Sequence, residues 1–164
     1  MEAGVGTGQN LPFYDPSVEL LGIDLSATML RKAAKRARTA RCAVELRKED
    51  ATSMTSVPSS HFDWVLSTFM CCVMPRELHP PALEQLARVL KPAGRLRLVE
   101  MVFSKQPAVR RRQELLAGFV ETVYGARFDP ETLRFVEESP QLDVVSTRYL
   151  KGDTYLLIDA RRRS

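Results

Sequence analysis

The sequence predicts an α/β fold: an open, doubly wound, mostly parallel sheet that ends in an antiparallel C-terminal hairpin. Three observations predict it. Short apolar runs alternate with stretches of helical period. Two of the runs lead into acids, Asp24 and Asp50. A glycine run, "EAGVGTGQN" at residues 2–10, stands ahead of the first full apolar run. A length of 164 residues fits one domain spanning 1–164 and can bury a real core.

In chain order, "SVELLGIDLS" reads as a buried strand with Asp24 at its carboxyl end. Ser26 caps the helix "ATMLRKAAKRART", whose Leu30, Ala33, Ala34 and Ala37 fall on one narrow face. "CAVELRKED" is extended and ends in Asp50, and "FDWVLSTFMCCV" is a nearly continuous apolar strand. "PPALEQLARVL" is a helix opened by proline and lined inside by Leu83, Leu86, Ala87 and Leu90. "KPAG" stops it before the strand "GRLRLVEMV". "PAVRRRQELLAGFVETVYG" is an amphipathic helix with Leu116, Phe119, Val120 and Val123 on one face, and "DPETLRFVEES" is a helix capped by Asp129. "LDVVSTRYL", a turn at "KGD", and "TYLLIDA" make the hairpin, and the closing "ARRRS" reads as a frayed tail.

The net charge of +4 is concentrated at residues 31–48, which carry eight basic side chains against Glu45 alone. A solvated helix face accounts for this; an anionic membrane surface is the sharper reading. Nucleic acid is disfavoured, since no aromatic residues interleave the basic ones. Cys42, Cys71 and Cys72 make an odd count with no CxxC spacing, which argues for buried strand thiols in a cytoplasmic setting and against a metal site. No run approaches the roughly 18 apolar residues of a membrane span.

In sheets of this kind ligands bind beyond the carboxyl ends of the strands. The glycines and the acids Glu2, Asp24 and Asp50 belong at or near those ends. Asp24 comes 20 positions after Gly4, the spacing at which a second-strand carboxylate takes the vicinal hydroxyls of a ribose. The glycines are spaced G-x-G-x-G rather than G-x-G-x-x-G, which weakens a dinucleotide reading.

These residues resemble the class I S-adenosylmethionine-dependent methyltransferases, a Rossmann-like family. "EAGVGTG" resembles the first motif, "GIDLSATMLRKA" the second-strand segment, "EDAT" the adenine-side segment, and "LARVLKPAGRLRLVE" the approach to the fifth strand. "STFMCCVMP" and "MLRKA" are most similar to the branch of quinone-biosynthesis C-methyltransferases and bacterial phospholipid N-methyltransferases. The resemblance implies S-adenosyl-L-methionine as cofactor, with Gly4, Gly6 and Gly8 letting the main chain approach its methionine half. By the same resemblance Glu2 fixes that loop and the cofactor's amino group, and Asp24 holds the ribose. Leu25 and Met29 pack near the adenine, Asp50 and Ala51 lie at its edge, and Ser67 and Thr68 line the methionine part or the methyl-transfer cavity.

Methyl transfer to a small, apolar or lipid-like acceptor follows as the expected function, with an anionic membrane as a peripheral partner. A cofactor-binding protein without catalysis and a basic membrane-surface module are the rivals. No residue stands out as a general base: Glu100, His61, His79, Tyr14 and Tyr124 are the weak candidates. Only Met1, Glu2 and Ala3 precede Gly4, whereas a typical strand has about 5–6 residues. The first strand is therefore expected to be largely missing, the chain to be an N-terminally shortened form, and its stability and cofactor affinity to be reduced.

Overall fold

The computed structural model describes residues 1–128 and 131–163. The strands are β1 (Glu2–Ala3), β2 (Glu19–Asp24), β3 (Ala43–Lys48), β4 (Phe62–Thr68), β5 (Leu90–Met101), β6 (Leu142–Leu150) and β7 (Tyr155–Arg162). The helices are α1 (Ala27–Ala37), α2 (His79–Val89), α3 (Pro107–Tyr124) and α4 (Thr132–Glu138). One sheet orders the strands β3-β2-β1-β4-β5-β7-β6. The first five in that row run parallel, while β7 pairs antiparallel with both β5 and β6. This is the predicted doubly wound sheet with its C-terminal hairpin.

Alternation along β2 shows how the two faces are covered, because successive strand side chains point to opposite sides. Leu20 joins Val5, Leu11 and Cys42 in a small cluster with Leu30 and Ala37 of α1. Leu21 and Ile23 join the main core, which holds Leu83 and Leu86 of α2, Val136 of α4, and Leu96 and Leu98 of β5. Helix α1 starts where predicted, with the Ser26 hydroxyl accepting from Met29 N–H. Helix α3 starts at Pro107 and stops at Gly125, whose φ of +65° favours glycine.

Several boundaries differ from the sequence expectation. The run "FDWVLSTFMCCV" leaves the sheet at Thr68, where Phe69 takes a φ of +59°. Cys71–Val73 then forms a single 3-10 turn, so Cys71 and Cys72 are buried in a turn rather than a strand. The cause is Glu100, whose two carboxylate oxygens accept from the N–H groups of Cys71 and Cys72, both at 3.0 Å. Strand β5 starts at Leu90, before "KPAG", because Leu90 is already extended and pairs with Phe62. The tail is not frayed through Arg163. The Arg162 guanidinium donates to the carbonyls of Arg88 and Leu90, and Arg163 reaches Asp143 at 2.7 Å. The expected cap at Asp129 lies outside the described residues.

Strand β1 has two residues where β2 has six and β4 has seven. It is nonetheless fully seated: Met1 N–H donates to Trp64 O at 2.8 Å and Leu66 N–H donates to Met1 O at 2.9 Å.

Candidate functional site

The parallel strands β2, β1 and β4 end side by side, and the glycine loop leaves directly from β1. Gly4, Gly6 and Gly8 have φ of +71°, +53° and +77°. Each demands a backbone that side-chain-bearing residues rarely adopt. Two of them face opposite surroundings. A Cβ at Gly8 would lie 2.8 Å from Leu11 Cδ1 and 3.1 Å from Ala33 Cα, so the loop is pressed onto α1 there. A Cβ at Gly6 would meet nothing nearer than Gly4 O at 3.9 Å, so that backbone borders open space.

Three side chains hold this loop in place. Asp24 accepts from Gly6 N–H through Oδ2 and from Ser26 N–H through Oδ1, each at 2.8 Å. Arg36 of α1 donates to Thr7 O. Glu2 is buried beneath the loop; its Oε1 accepts from Asn10 Nδ2 at 2.8 Å and its Oε2 from the Tyr14 hydroxyl at 2.9 Å. Burial pushes the Glu2 carboxyl above its usual range, and the two hydrogen bonds pull it partly back. Asn10 also donates to Thr68 Oγ1 at 3.0 Å, so one amide joins the acid of β1 to the end of β4.

The structure thus brings Glu2, Gly4, Gly6, Gly8, Asp24 and Thr68 together. Leu25 and Met29 follow Asp24 and are 64% and 39% exposed. Asp50 folds the next turn on itself, its Oδ1 accepting from Thr52 N–H and Oγ1. Ala51 packs against the main core. Ser67 is fully buried and its hydroxyl has no hydrogen-bond partner. Sequence reasoning missed two members. Asn10 follows the glycines by two positions and bridges β1 to β4, and Met70 packs its side chain 3.0 Å from where a Gly4 Cβ would be. A polar amide directly after a glycine loop was the available signal for Asn10.

The candidate bases divide clearly. His61 precedes β4 and so lies at the opposite end of the sheet. His79 is buried, with Nε2 3.0 Å from Cys71 O and its ring edge-on to Phe135. Burial, then the neighbouring Glu2 charge, pushes the Tyr14 phenol well above its usual range. The Tyr124 side chain lies outside the described part of the molecule. Glu100 does stand at the end of β5, but both oxygens are engaged by the turn after β4.

Burial raises the Glu100 carboxyl to about 7, against the pull of the Cys71 and Cys72 N–H groups. A carboxyl raised in this way stabilises the fold below its unfolded value of 4.5 and loses that contribution as pH rises through about 7. The span corresponds to roughly 3 kcal/mol at about 1.36 kcal/mol per pH unit. Glu100→Gln should therefore gain stability relative to the parent across pH 4.5–7. Parallel urea melts check this, and a constant difference between the two proteins would rule it out.

The open main chain at Gly6, the Asp24 carboxylate and the exposed Leu25 and Met29 are compatible with an adenosine bearing an amino-acid tail, and the unpaired Ser67 hydroxyl is the kind of buried polar atom that a ligand can complete.

Comparison with known proteins agrees. Residues 1–94 match the model of a methyltransferase domain. The chain is 30% identical to a phosphatidylethanolamine N-methyltransferase of Cereibacter sphaeroides over 166 residues, covering 99% of this chain and 79% of that protein. It is 29% identical to a ubiquinone/menaquinone biosynthesis C-methyltransferase of Syntrophotalea carbinolica, covering 72% of this chain and 47% of that one, so it spans about half of that relative's length. A crystal structure of an S-adenosylmethionine-dependent methyltransferase from Methanosarcina mazei superposes with a TM-score of 0.76 at 20% identity, covering 99% of this chain and 91% of that one. The glycine loop on a parallel sheet and the family match over more than half of the chain lead to one assignment: this protein belongs to the class I methyltransferases, with S-adenosylmethionine as its cofactor.

Proposed function

We propose that this methyltransferase acts on an apolar or lipid-like acceptor presented at an anionic membrane surface. The observation that carries this reading is the uncovered stripe of α3. Leu115, Leu116, Phe119 and Val123 are all at least half exposed, and Phe119 is 62% exposed. Arg110, Arg111 and Arg112 stand exposed one turn earlier. An apolar stripe beside a cationic turn suits a lipid interface. Helix α3 leaves the carboxyl end of β5, the side of the sheet on which the glycine loop lies. It is pinned there by Gln113, which donates to Val102 O at 3.0 Å and accepts from Ser104 N–H at 2.7 Å. No described helix is long and apolar enough to cross a membrane, so such contact would be peripheral. The likeness to a phosphatidylethanolamine N-methyltransferase supports the same reading.

The chemistry asks little of the chain. A sulfonium methyl is already activated, so the protein's work is to align an acceptor and keep water out. In the proposed arrangement the main chain at Gly4, Gly6 and Gly8 borders the cofactor's methionine half, and Asp24 takes the ribose hydroxyls. Leu25 and Met29 cover one face of the adenine, with Asp50 and Ala51 at its edge. Ser67 and Thr68 line the methionine end. Glu2 acts from below, holding Asn10 and Tyr14.

Transfer of a labelled methyl group tests the acceptor. The panel comprises vesicles containing phosphatidylethanolamine, with and without anionic lipid, a naphthoquinol in neutral micelles, and soluble primary amines. Transfer to the vesicle or micelle acceptors, faster with anionic lipid at low salt, is the expected result. Transfer to soluble amines alone, with no response to lipid charge, would overturn it.

A further inference from the structure

Helix α3 has a second apolar face beside its exposed stripe. Val109, Arg112, Gln113, Leu116 and Val120 fall at i, i+3, i+4, i+7 and i+11, so they share one side of the helix. With Phe128 they line a cavity of about 190 Å³. Both of its walls are held. The Gln113 amide bonds to Val102 O and Ser104 N–H and fixes the helix. On the far side Phe128 packs on Phe103, with ring centroids 5.2 Å apart. The preceding Arg127 donates its N–H to Cys72 O at 2.8 Å and its guanidinium to Met74 O at 2.6 Å. The charges near the cavity differ in what they do. Arg110 lies over the Phe103 ring and bridges Glu114 at 2.9 Å. Arg112 is exposed on the rim and has no ion pair or hydrogen bond among the described residues.

We propose that this cavity is a subsite for one alkyl chain of a membrane phospholipid, with the lipid's phosphate on Arg112. The assignment rests on the lipid reading above and adds to it the place where a tail is held. Size argues for a chain. The volume is below the roughly 300–1,000 Å³ of pockets for drug-sized ligands, and the lining runs along roughly 16 Å of helix axis. A slender group fills such a space and a fused ring system does not. Charge argues for a phosphate. An apolar lining with one unpaired guanidinium on its rim matches an anionic amphiphile, and a guanidinium can hold a phosphate through two parallel hydrogen bonds. Position argues for a membrane source. Leu116 belongs both to the cavity and to the exposed stripe of Leu115, Phe119 and Val123, so a chain leaving a bilayer at that stripe reaches the cavity directly.

The test titrates the whole chain calorimetrically with hexyl, octyl and decyl phosphate, below the concentrations at which they form micelles. Binding should be saturable, and affinity should rise roughly three- to fourfold per added methylene until the cavity is full. Octanol, which lacks the phosphate, should bind at least tenfold more weakly than octyl phosphate, and inorganic phosphate should not compete. Val120→Phe narrows the cavity and should bring decyl phosphate down to the affinity of hexyl phosphate. Arg112→Gln, at an exposed position that leaves the packing alone, should weaken all three by a common factor of about ten, and it stays readable if Val120→Phe does not fold. Affinity that ignores chain length overturns the proposal. So does parent-like affinity in a folded Val120→Phe or in Arg112→Gln, because the alkyl chains would then be coating the exposed stripe. Sedimentation with anionic phospholipid vesicles separates this inference from the reading on which it rests. Vesicle binding without chain-dependent binding of the alkyl phosphates overturns the subsite and leaves the membrane reading standing. Chain-dependent, variant-sensitive binding without vesicle binding supports the cavity as an alkyl site and overturns the membrane as its source.

Discussion

Gly8→Ala should lose roughly 2–5 kcal/mol of folding stability. About 1–2 of this comes from forcing an L-residue into the left-handed backbone at φ +77°. A further ~1–3 comes from overpacking against Leu11 and the α1 backbone at Ala33, which cannot withdraw. Against a total near 5–15 kcal/mol, the loss is large enough to leave the variant partly unfolded at 37 °C. Gly6→Ala is the matched control. Its φ is +53°, so it carries the backbone cost, but its Cβ enters open space. That space is where the cofactor is proposed to lie. Gly6→Ala should therefore keep most of its stability and lose S-adenosylmethionine affinity, whereas Gly8→Ala should lose stability first. Denaturant melts and calorimetric titrations separate the two. Equal stability losses in both variants would show that packing on α1 is not what fixes the loop.

Asp24→Ala should raise the Kd for S-adenosylmethionine by about ten- to a hundredfold. A hydrogen bond to a charged group is worth roughly 1.5–3 kcal/mol, and two ribose hydroxyls are proposed to share this carboxylate. The same carboxylate holds Gly6 N–H and Ser26 N–H, so the variant should also melt at a lower temperature, with the glycine loop loosened and α1 less firmly started. Asp24→Asn keeps one acceptor oxygen and should fall between the two in both measurements. An unchanged Kd in a folded Asp24→Ala protein would remove the ribose role and leave Asp24 as a loop anchor only.

What the sequence reveals depends on how local the signal is. Strand β2 with its terminal Asp24, helix α1 with its Ser26 cap, and the hairpin β6–β7 are written in alternation, capping and turn residues within a dozen positions, and all three form as read. The turn at Cys71–Val73 is different. Its residues are apolar enough for a strand, and what bends them is Glu100, 28 and 29 positions away. Asn10 is hidden for the same reason, since its partners Glu2 and Thr68 meet only once β1 and β4 lie side by side. Helix α3 shows the opposite failure. Its apolar face is legible in the spacing of Leu116, Phe119 and Val123, but spacing cannot say whether a face is buried, and here it stays open.

The buried thiols of the turn after β4 also give the molecule an internal clock. Burial, with the Glu100 charge beside them, holds both Cys71 and Cys72 above the range in which a thiol ionises near neutral pH. Neither sulfur is accessible in the closed fold, and Cys42 is buried as well. Alkylation therefore waits for a segment to open, and its rate counts those openings. Met70, immediately before the pair, packs against Gly4. The labelling rate at these two positions thus reports the breathing of the wall that stands over the first glycine.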